Sequence, residues 1–387
     1  MSDKRIYLDH NASAPLREVA LEAVTGALRA GGNASSVHGE GRKARRIVEG
    51  ARQQVAALCD ARPEHVFFTS GATEAATTLL TSDWIMGRAP LRFSRLYVCA
   101  TDHPCLLSGG RFPAECIHEL PVDANGLIDL HAFEAALSDH DRDEGLPLVA
   151  VHLANNETGV LQPLEELSQT ARKHGATLVL DAVQAAGRVP LADAMGCADF
   201  LILSSHKIGG PQGAGAIVGA SDLMMPRPLV RGGGQEKGHR AGTENVAAIA
   251  GFGAAAEAAL AETEQMSEVA SLRDEIEQAV IHLFPGVQIH GSGSDRLPNT
   301  SFFTIPGVKA ETAQIAFDLE GFAVSAGSAC SSGKVGQSHV LKAMGADAQA
   351  GAIRVSLGVA TRREDVDGFI AALERFARRR NAKENAA

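Results

Sequence analysis

Aromatic side chains are scarce in this sequence: 4% of 387 residues, with one Trp and two Tyr. The core must therefore be built mainly from Ala, Val, Leu and Ile. Net positive charge is also missing, since 36 Lys and Arg face 46 Asp and Glu, a formal charge of −10 with His neutral. That argues against a dedicated nucleic-acid binder, which needs a broad cationic face, and against electrostatic docking on anionic lipid. The longest apolar stretch, Val246 to Ala256, stops at Glu257. It falls short of the ~20 residues a membrane-spanning helix requires. The start of the chain, MSDKRIYLDH, is charged and has no apolar centre, so it does not read as a signal peptide. Six cysteines are scattered and none forms a C-x-x-C pair, which leaves a zinc ribbon or a thioredoxin-type motif unsupported. Scattered thiols without a signal point to a reducing cytoplasm. The nucleotide signatures fail too: there is no G-x-G-x-x-G after a strand. GSACSSGK (327–334) has one residue too many for a P-loop, and Val335 stands where Ser or Thr is needed. H-E-x-x-H is absent as well, and no metal is expected.

What is present is ordinary globular composition, 45% apolar and 21% charged, in a chain long enough for two or three units. Two helices are expected after Pro15. In the second, Ala44, Ile47, Val48, Ala51, Val55 and Leu58 recur at helical spacing. Short apolar runs follow at 65–70, 95–101, 146–155, 177–181, 200–204 and 215–219. Bounded by Gly, Asp or Ser, they read as buried strands of a mainly parallel sheet covered by helices, an α/β fold. A long Ala-rich helix is expected over 245–265. Beyond it, strands at 287–291, 299–305 and 352–357 with helices at 310–320 and 364–379 suggest a smaller α+β unit. The tail RRRNAKENAA reads as a frayed end.

In open α/β sheets, ligands bind at the carboxyl ends of the strands, and three such ends carry suggestive residues. HVFFTS runs into GATEA, a turn opening a helix, where backbone N–H groups with Ser70 and Thr73 suit a phosphate. TLVLDAVQAAG places Asp181 after an apolar strand and Gln184 three residues on. LILSSHKIGGP places Ser204, Ser205, His206 and Lys207 after another. A lysine at the end of a buried strand is uncommon, because burial lowers its pKa and makes the amine nucleophilic. Taken singly, each feature has a plain reading as a cap or a surface residue. An Asp, a Lys and a phosphate turn together are what pyridoxal 5′-phosphate (PLP) requires.

Here the chain resembles the cysteine desulfurases of the nitrogen-fixation and iron–sulfur-cluster type, in the class-V aminotransferase branch of fold-type-I PLP enzymes. The matching segments run in family order. They are YLDHNASAP (7–15), GNASSVHGEGR (32–42), FTSGATEA (68–75), TDH (101–103), NNETG (155–159), DAVQAAG (181–187), SSHKIGGPQG (204–213), GGGQEKGHRAGTEN (232–245), SAGSACSSG (325–333), SHVLKAMG (338–345) and IRVSLG (353–358). The resemblance implies a large PLP-binding domain over 16–263, and a small domain of 1–15 and 264–387 that carries the cysteine loop. It implies that Lys207 forms the internal aldimine, Asp181 binds the pyridine nitrogen and Gln184 the ring oxygen. His103 stacks on the ring and takes part in proton transfer. Ala72, Thr73, Ser204 and His206 hold the phosphate, joined by Thr243 from the partner of a homodimer. Asn155 and Arg354 bind the carboxylate of L-cysteine, and Cys330 receives the sulfur. The implied products are L-alanine and an enzyme persulfide, which passes to an iron–sulfur scaffold or another acceptor.

The chain departs from the family pattern at Ser13–Ala14, where two threonines are common, and at Gly209, where Tyr is usual. It also has Gln212 for a frequent Lys, and the stretch after Cys330 lacks an acidic-Pro pair. Rival readings are a selenocysteine lyase or another class-V lyase or aminotransferase, and a non-catalytic sulfur-carrier subunit. Of the other thiols, Cys59 and Cys99 are expected in the core, while Cys105, near His103, is a candidate for local reactivity. His38 is a candidate to approach the site.

Overall fold

The computed structural model describes residues 5–326 and 337–384. Strand β1 (Ile6–Tyr7) leads into helices α1 (Glu18–Ala30) and α2 (Gly39–Leu58). Then come β2 (Val66–Thr69), α3 (Ala72–Leu79), the hairpin β3 (Asp83–Met86) and β4 (Ala89–Cys99), α4 (Pro104–Leu107) and β5 (Ile117–Leu120). They are followed by α5 (Leu130–Ser138), β6 (Leu146–His152), α6 (Leu164–Lys173), β7 (Thr177–Asp181), α7 (Ala192–Cys197), β8 (Phe200–Ser204), β9 (Gly215–Gly219) and β10 (Met224–Pro226). The remainder is α8 (Val246–Ala261), α9 (Met266–Leu283), β11 (Gln288–Ile289), β12 (Thr300–Thr304), α10 (Ala310–Leu319), β13 (Phe322–Ala323), β14 (Ser325–Ala326), α11 (His339–Ala343), β15 (Ile353–Ser356) and α12 (Arg363–Glu384).

Nine strands form one sheet in the order β10-β3-β4-β6-β7-β8-β9-β2, with β5 beside β4. The centre is parallel, as expected: β4 pairs with β5 and β6, β6 with β7, and β7 with β8. The flanks are antiparallel, which the sequence reading did not anticipate. For the two pairings between consecutive strands, β3 with β4 and β8 with β9, the reason is connection length. β3 and β4 are joined by a tight turn at Gly87, and the stretch between β8 and β9 is too short for a helical crossover, so each returning strand must reverse.

Alternation along the strands puts one set of side chains on each face. Phe68, Tyr97, Val149, Val151, Leu180, Leu201 and Leu203 join residues of α2, α5, α6 and α8 in one cluster. Phe67, Leu96, Val98, Leu148, Val179, Phe200 and Ile202 join α3, α4 and Trp84 in the other. Both faces are apolar, so the strands read as continuous hydrophobic runs. A second sheet, β11-β12-β15-β14, packs its Phe303, Ile353 and Val355 against α9, α10 and α12 in a separate cluster.

Two local expectations change. The basic tail is not frayed over its length, because α12 continues to Glu384. His38 caps the N-terminus of α2 and pairs with Glu40 on the surface instead of approaching the site. Among the described residues, no single helix is long and apolar enough to cross a membrane.

Candidate active site

A cavity of about 470 Å³ opens at the carboxyl ends of the central strands. Asp181 ends β7 and Ser204 ends β8, whose next turn presents His206 and Lys207. All four line the cavity, together with Ala72, Thr73, His103 and Gln184. Every residue expected around the cofactor is therefore gathered here except Thr243.

At one end lies the turn between β2 and α3. Gly71 caps α3 without a side-chain hydrogen bond, so the N–H groups of the first turn are not consumed by a cap. The turn lies flush on β9: a Cβ added at Gly215 would fall 2.6 Å from Gly71 Cα. Glu74 accepts the Ser70 N–H at 2.9 Å and pairs with Arg240 at 3.0 Å, tying the turn to the Gly-rich loop before α8. Thr243, further along that loop, is exposed. It lines a neighbouring cavity of about 150 Å³ that shares Ser70 and Gly213 with the larger one.

Lys207 Nζ donates to the backbone carbonyls of Asn11, at 2.6 Å, and Ala12, at 2.9 Å. The 7–15 segment thus lies across the lysine. Ser13 Oγ sits 3.2 Å from His206 Nδ1, so the hydroxyl at this departure from the family pattern has a partner. Gly209 is also accounted for. Its φ of +82° is one that side chains rarely adopt, and a Cβ there would meet Arg17 Cγ at 2.7 Å. Arg17 fills the space, donating to Ile208 O at 2.7 Å and pairing with Glu262.

Burial governs the charges. It pushes Asp181 up to about 6, with the Val183 N–H, bound to Oδ1 at 3.0 Å, acting against it. Burial, assisted by Lys207, holds His103 and His206 down at about 4, so both rings are neutral near pH 7. His103 Nδ1 accepts the Cys105 N–H at 3.2 Å, which leaves any ring proton on Nε2. Beneath them is a buried pair that sequence reasoning missed. Asp102 Oδ1 lies 2.5 Å from His152 Nδ1, and Asp102 also accepts the backbone N–H groups of Cys99 and His152. Gln162 takes the Ile128 N–H on its oxygen and gives its amide to Gly126 O and to His152 Nε2. His152 Nε2 therefore accepts from Gln162, which puts a ring proton on Nδ1, facing Asp102.

The residues expected at the substrate end are arranged differently. Asn155 Oδ1 accepts the N–H groups of Glu157 and Thr158 while Nδ2 donates to Thr101 O, so this carboxamide holds its own turn and Asn156 lines the cavity instead. Arg354, on β15 and 1% exposed, donates to Asp9 Oδ1 and to Asn156 O at 2.8 Å each, and is not among the residues lining the cavity. Beside it, burial raises Glu157 to about 7, opposed by Ser338, whose hydroxyl donates at 2.5 Å, and by Arg354. Asp9 and Asn11 went unassigned in the sequence, although YLDHNASAP was a visible signal. Cys330 lies outside the described residues. Cys59 and Cys99 are buried, as expected. Cys105 lines the cavity but is 7% exposed, and burial drives its thiol far up, which disfavours the reactive thiolate.

The cavity suits PLP: an uncapped helix start for the phosphate, an amine at the strand end, and a buried carboxylate for a protonated ring nitrogen. The family profile described as Aminotransferase class-V matches residues 6–369. A cysteine desulfurase of Cereibacter sphaeroides is 39% identical over 378 residues, covering 96% of this chain and 95% of that protein. Cysteine desulfurase NifS of Azotobacter vinelandii is 36% identical, covering 94% and 90%. The X-ray structure of a NifS-like protein from Rickettsia africae superposes with a TM-score of 0.85 at 32% identity, over 96% of this chain and 99% of that one.

Proposed function

Because this chain belongs to the class-V aminotransferase family and, within it, to the cysteine desulfurases, we propose that it carries PLP on Lys207 and converts L-cysteine to L-alanine. The observation that carries this reading is the convergence of Lys207, Asp181 and the uncapped start of α3 on one cavity. PLP, when bound, supplies an electron sink for the pair left on the substrate Cα once its proton is removed.

The chain's own groups do the rest. Asp181 would give the ring nitrogen a buried anionic partner and so keep it protonated. The turn at 70–73 with Ser204 and His206 would hold the phosphate, and Thr243 would complete that site from the second subunit of a homodimer. Neutral His103 would stack on the ring, and it would take a proton on Nδ1 only by giving up the Cys105 N–H that this nitrogen accepts, while the Lys207 amine would move the Cα proton. Arg354, aimed by Asp9, grips the substrate carboxylate with Asn155 shaping the adjoining turn; the 1–15 and 264–387 parts form the small unit that delivers it. Cys330 thiolate attacks the substrate sulfur. The C–S bond breaks as an S–S bond forms, leaving alanine and a Cys330 persulfide, with no outside oxidant. The persulfide sulfur then passes to an acceptor protein in the cytoplasm, for iron–sulfur cluster assembly.

Borohydride reduction and peptide mapping should place the pyridoxyl group on Lys207, and incubation with cysteine should release equal amounts of alanine and, with a thiol reductant, sulfide. Label on another lysine, or sulfide without alanine, contradicts the reading.

A further inference from the structure

Arg188 lies four residues beyond Gln184, across a tight turn. It is 7% exposed, and among the described residues no carboxylate pairs with it. A buried guanidinium without a counter-anion is costly. Burial, with Arg354 adding to it, draws its pKa down to about 9, so it still carries its charge at neutral pH. Its hydrogen bonds go to Gln184, which lines the cofactor cavity, and to the backbone of the 7–15 segment that lies across Lys207. Nη1 donates to Gln184 O at 2.5 Å and to Gln184 Oε1, and Nη2 donates to His10 O at 3.3 Å. The other end of the Gln184 amide donates from Nε2 to Asn11 O at 3.0 Å, the same carbonyl that receives Lys207 Nζ.

This chain of contacts has one sense only. A guanidinium can only donate and a backbone carbonyl can only accept. Turning the Gln184 amide over would set its oxygen against Asn11 O and its NH₂ against Arg188. We propose that Arg188 is a positioning residue: it locks the Gln184 carboxamide so that an N–H, and not the oxygen, is offered to the ring oxygen of PLP beside Lys207. This rests on the reading that Lys207 carries PLP. An N–H on the ring oxygen stabilises its negative charge most when the lysine-bound nitrogen has lost its proton. The lock therefore lowers the pH at which that proton leaves.

The first test uses the apoprotein, so it does not depend on PLP. The Gln184 side-chain amide hydrogens should exchange with solvent well behind those of surface Gln residues, and Arg188→Met should remove that protection. The second test titrates the visible absorption band of the holoenzyme, after borohydride mapping has established Lys207 as the attachment site. Arg188→Met and Gln184→Met should each raise its pH midpoint by about one unit, the scale of one hydrogen bond to a charged group. The double variant should move no further, because both changes remove the same interaction. Arg188→Lys, which keeps a donor, should stay near the wild type. An unchanged midpoint in Arg188→Met overturns the proposal, as does a double variant in which the shifts add. If Arg188→Met does not fold, Arg188→Lys decides: a midpoint displaced as far as in Gln184→Met overturns the lock. Label on a lysine other than Lys207 overturns the cofactor reading instead, and leaves the apoprotein exchange result to judge Arg188.

Discussion

The two ends of the site are built in different ways. The cofactor end stands on β7 and β8, neighbouring parallel strands whose residues are buried throughout. Asp181 ends a fully buried strand and Lys207 follows another in a half-buried turn, and burial biases Asp181, His103 and His206 toward neutrality. The substrate end is a junction. Asp9, Asn156, Ser325 and Arg354 come from four distant segments, and the charge of Arg354 is already balanced by Asp9, which also accepts the Ser325 hydroxyl at 2.9 Å. One end holds groups whose charge is penalised until a ligand arrives. The other holds a cation, Arg354, already paired with a resident anion, which on the proposed reading a substrate carboxylate would share. Tight cofactor retention fits the first arrangement and reversible substrate binding the second.

The largest effect is expected at the cofactor end. Lys207→Ala should lower alanine formation about 10³-fold or more, since on the proposed reading it removes both the attachment point and a proton carrier. Residual activity near wild type would break the comparison outright.

Next comes Asp181, whose folded pKa of about 6 stands above its unfolded value of about 4. Between those values the folded apoprotein keeps a proton that the unfolded chain has lost, so apoprotein stability falls as pH rises through this window and the penalty is constant above it. Asp181→Asn removes the penalty. The apo variant should be more stable than the wild-type apoprotein by roughly 2–3 kcal/mol above pH 6 and equal to it below pH 4. Chemical denaturation across pH checks this, and the same variant should bind PLP more weakly.

Arg354→Lys should lower kcat/KM about tenfold to a hundredfold, mainly through KM, with PLP still bound, because an ammonium cannot reproduce a two-point grip on a carboxylate. Asp9→Asn should move KM less than Arg354→Lys does. If Asp9→Asn had the larger effect, the resident anion would be the recognition element and the comparison would invert.

The smallest effect is spectroscopic. In the apoprotein, the His103 ring resonances should titrate near pH 4, well below an ordinary imidazole, with no step at pH 6–7. A midpoint near 6.5 would show that the ring is more hydrated than its position implies.

The cofactor end was legible in the sequence because apolar runs stop at the residues that matter. TLVLD stops at Asp181 and FLILS at Ser204, and both strands match their expected bounds. The substrate end was not legible by such means. Arg354 sits inside a short strand whose pattern says only that it is buried, and Asn155 spends most of its amide on its own turn. The Asp102–His152 pair escaped notice because its members are fifty residues apart and meet only when β6 is laid beside β4.

The sequence by itself determined the strand–helix alternation, the apolar faces, and the residue types at the strand ends, because these follow from local periodicity and from where hydrophobic runs must stop. Only the tertiary structure decided which ends share a cavity. It decided that the flanking strands reverse, that Arg17 fills the space at Gly209, and that Arg188 and Asn11 close on Gln184 from opposite sides. These depend on which distant backbone carbonyls and side chains are brought within about 3 Å of one another, the range of a hydrogen bond. No local pattern carries that information.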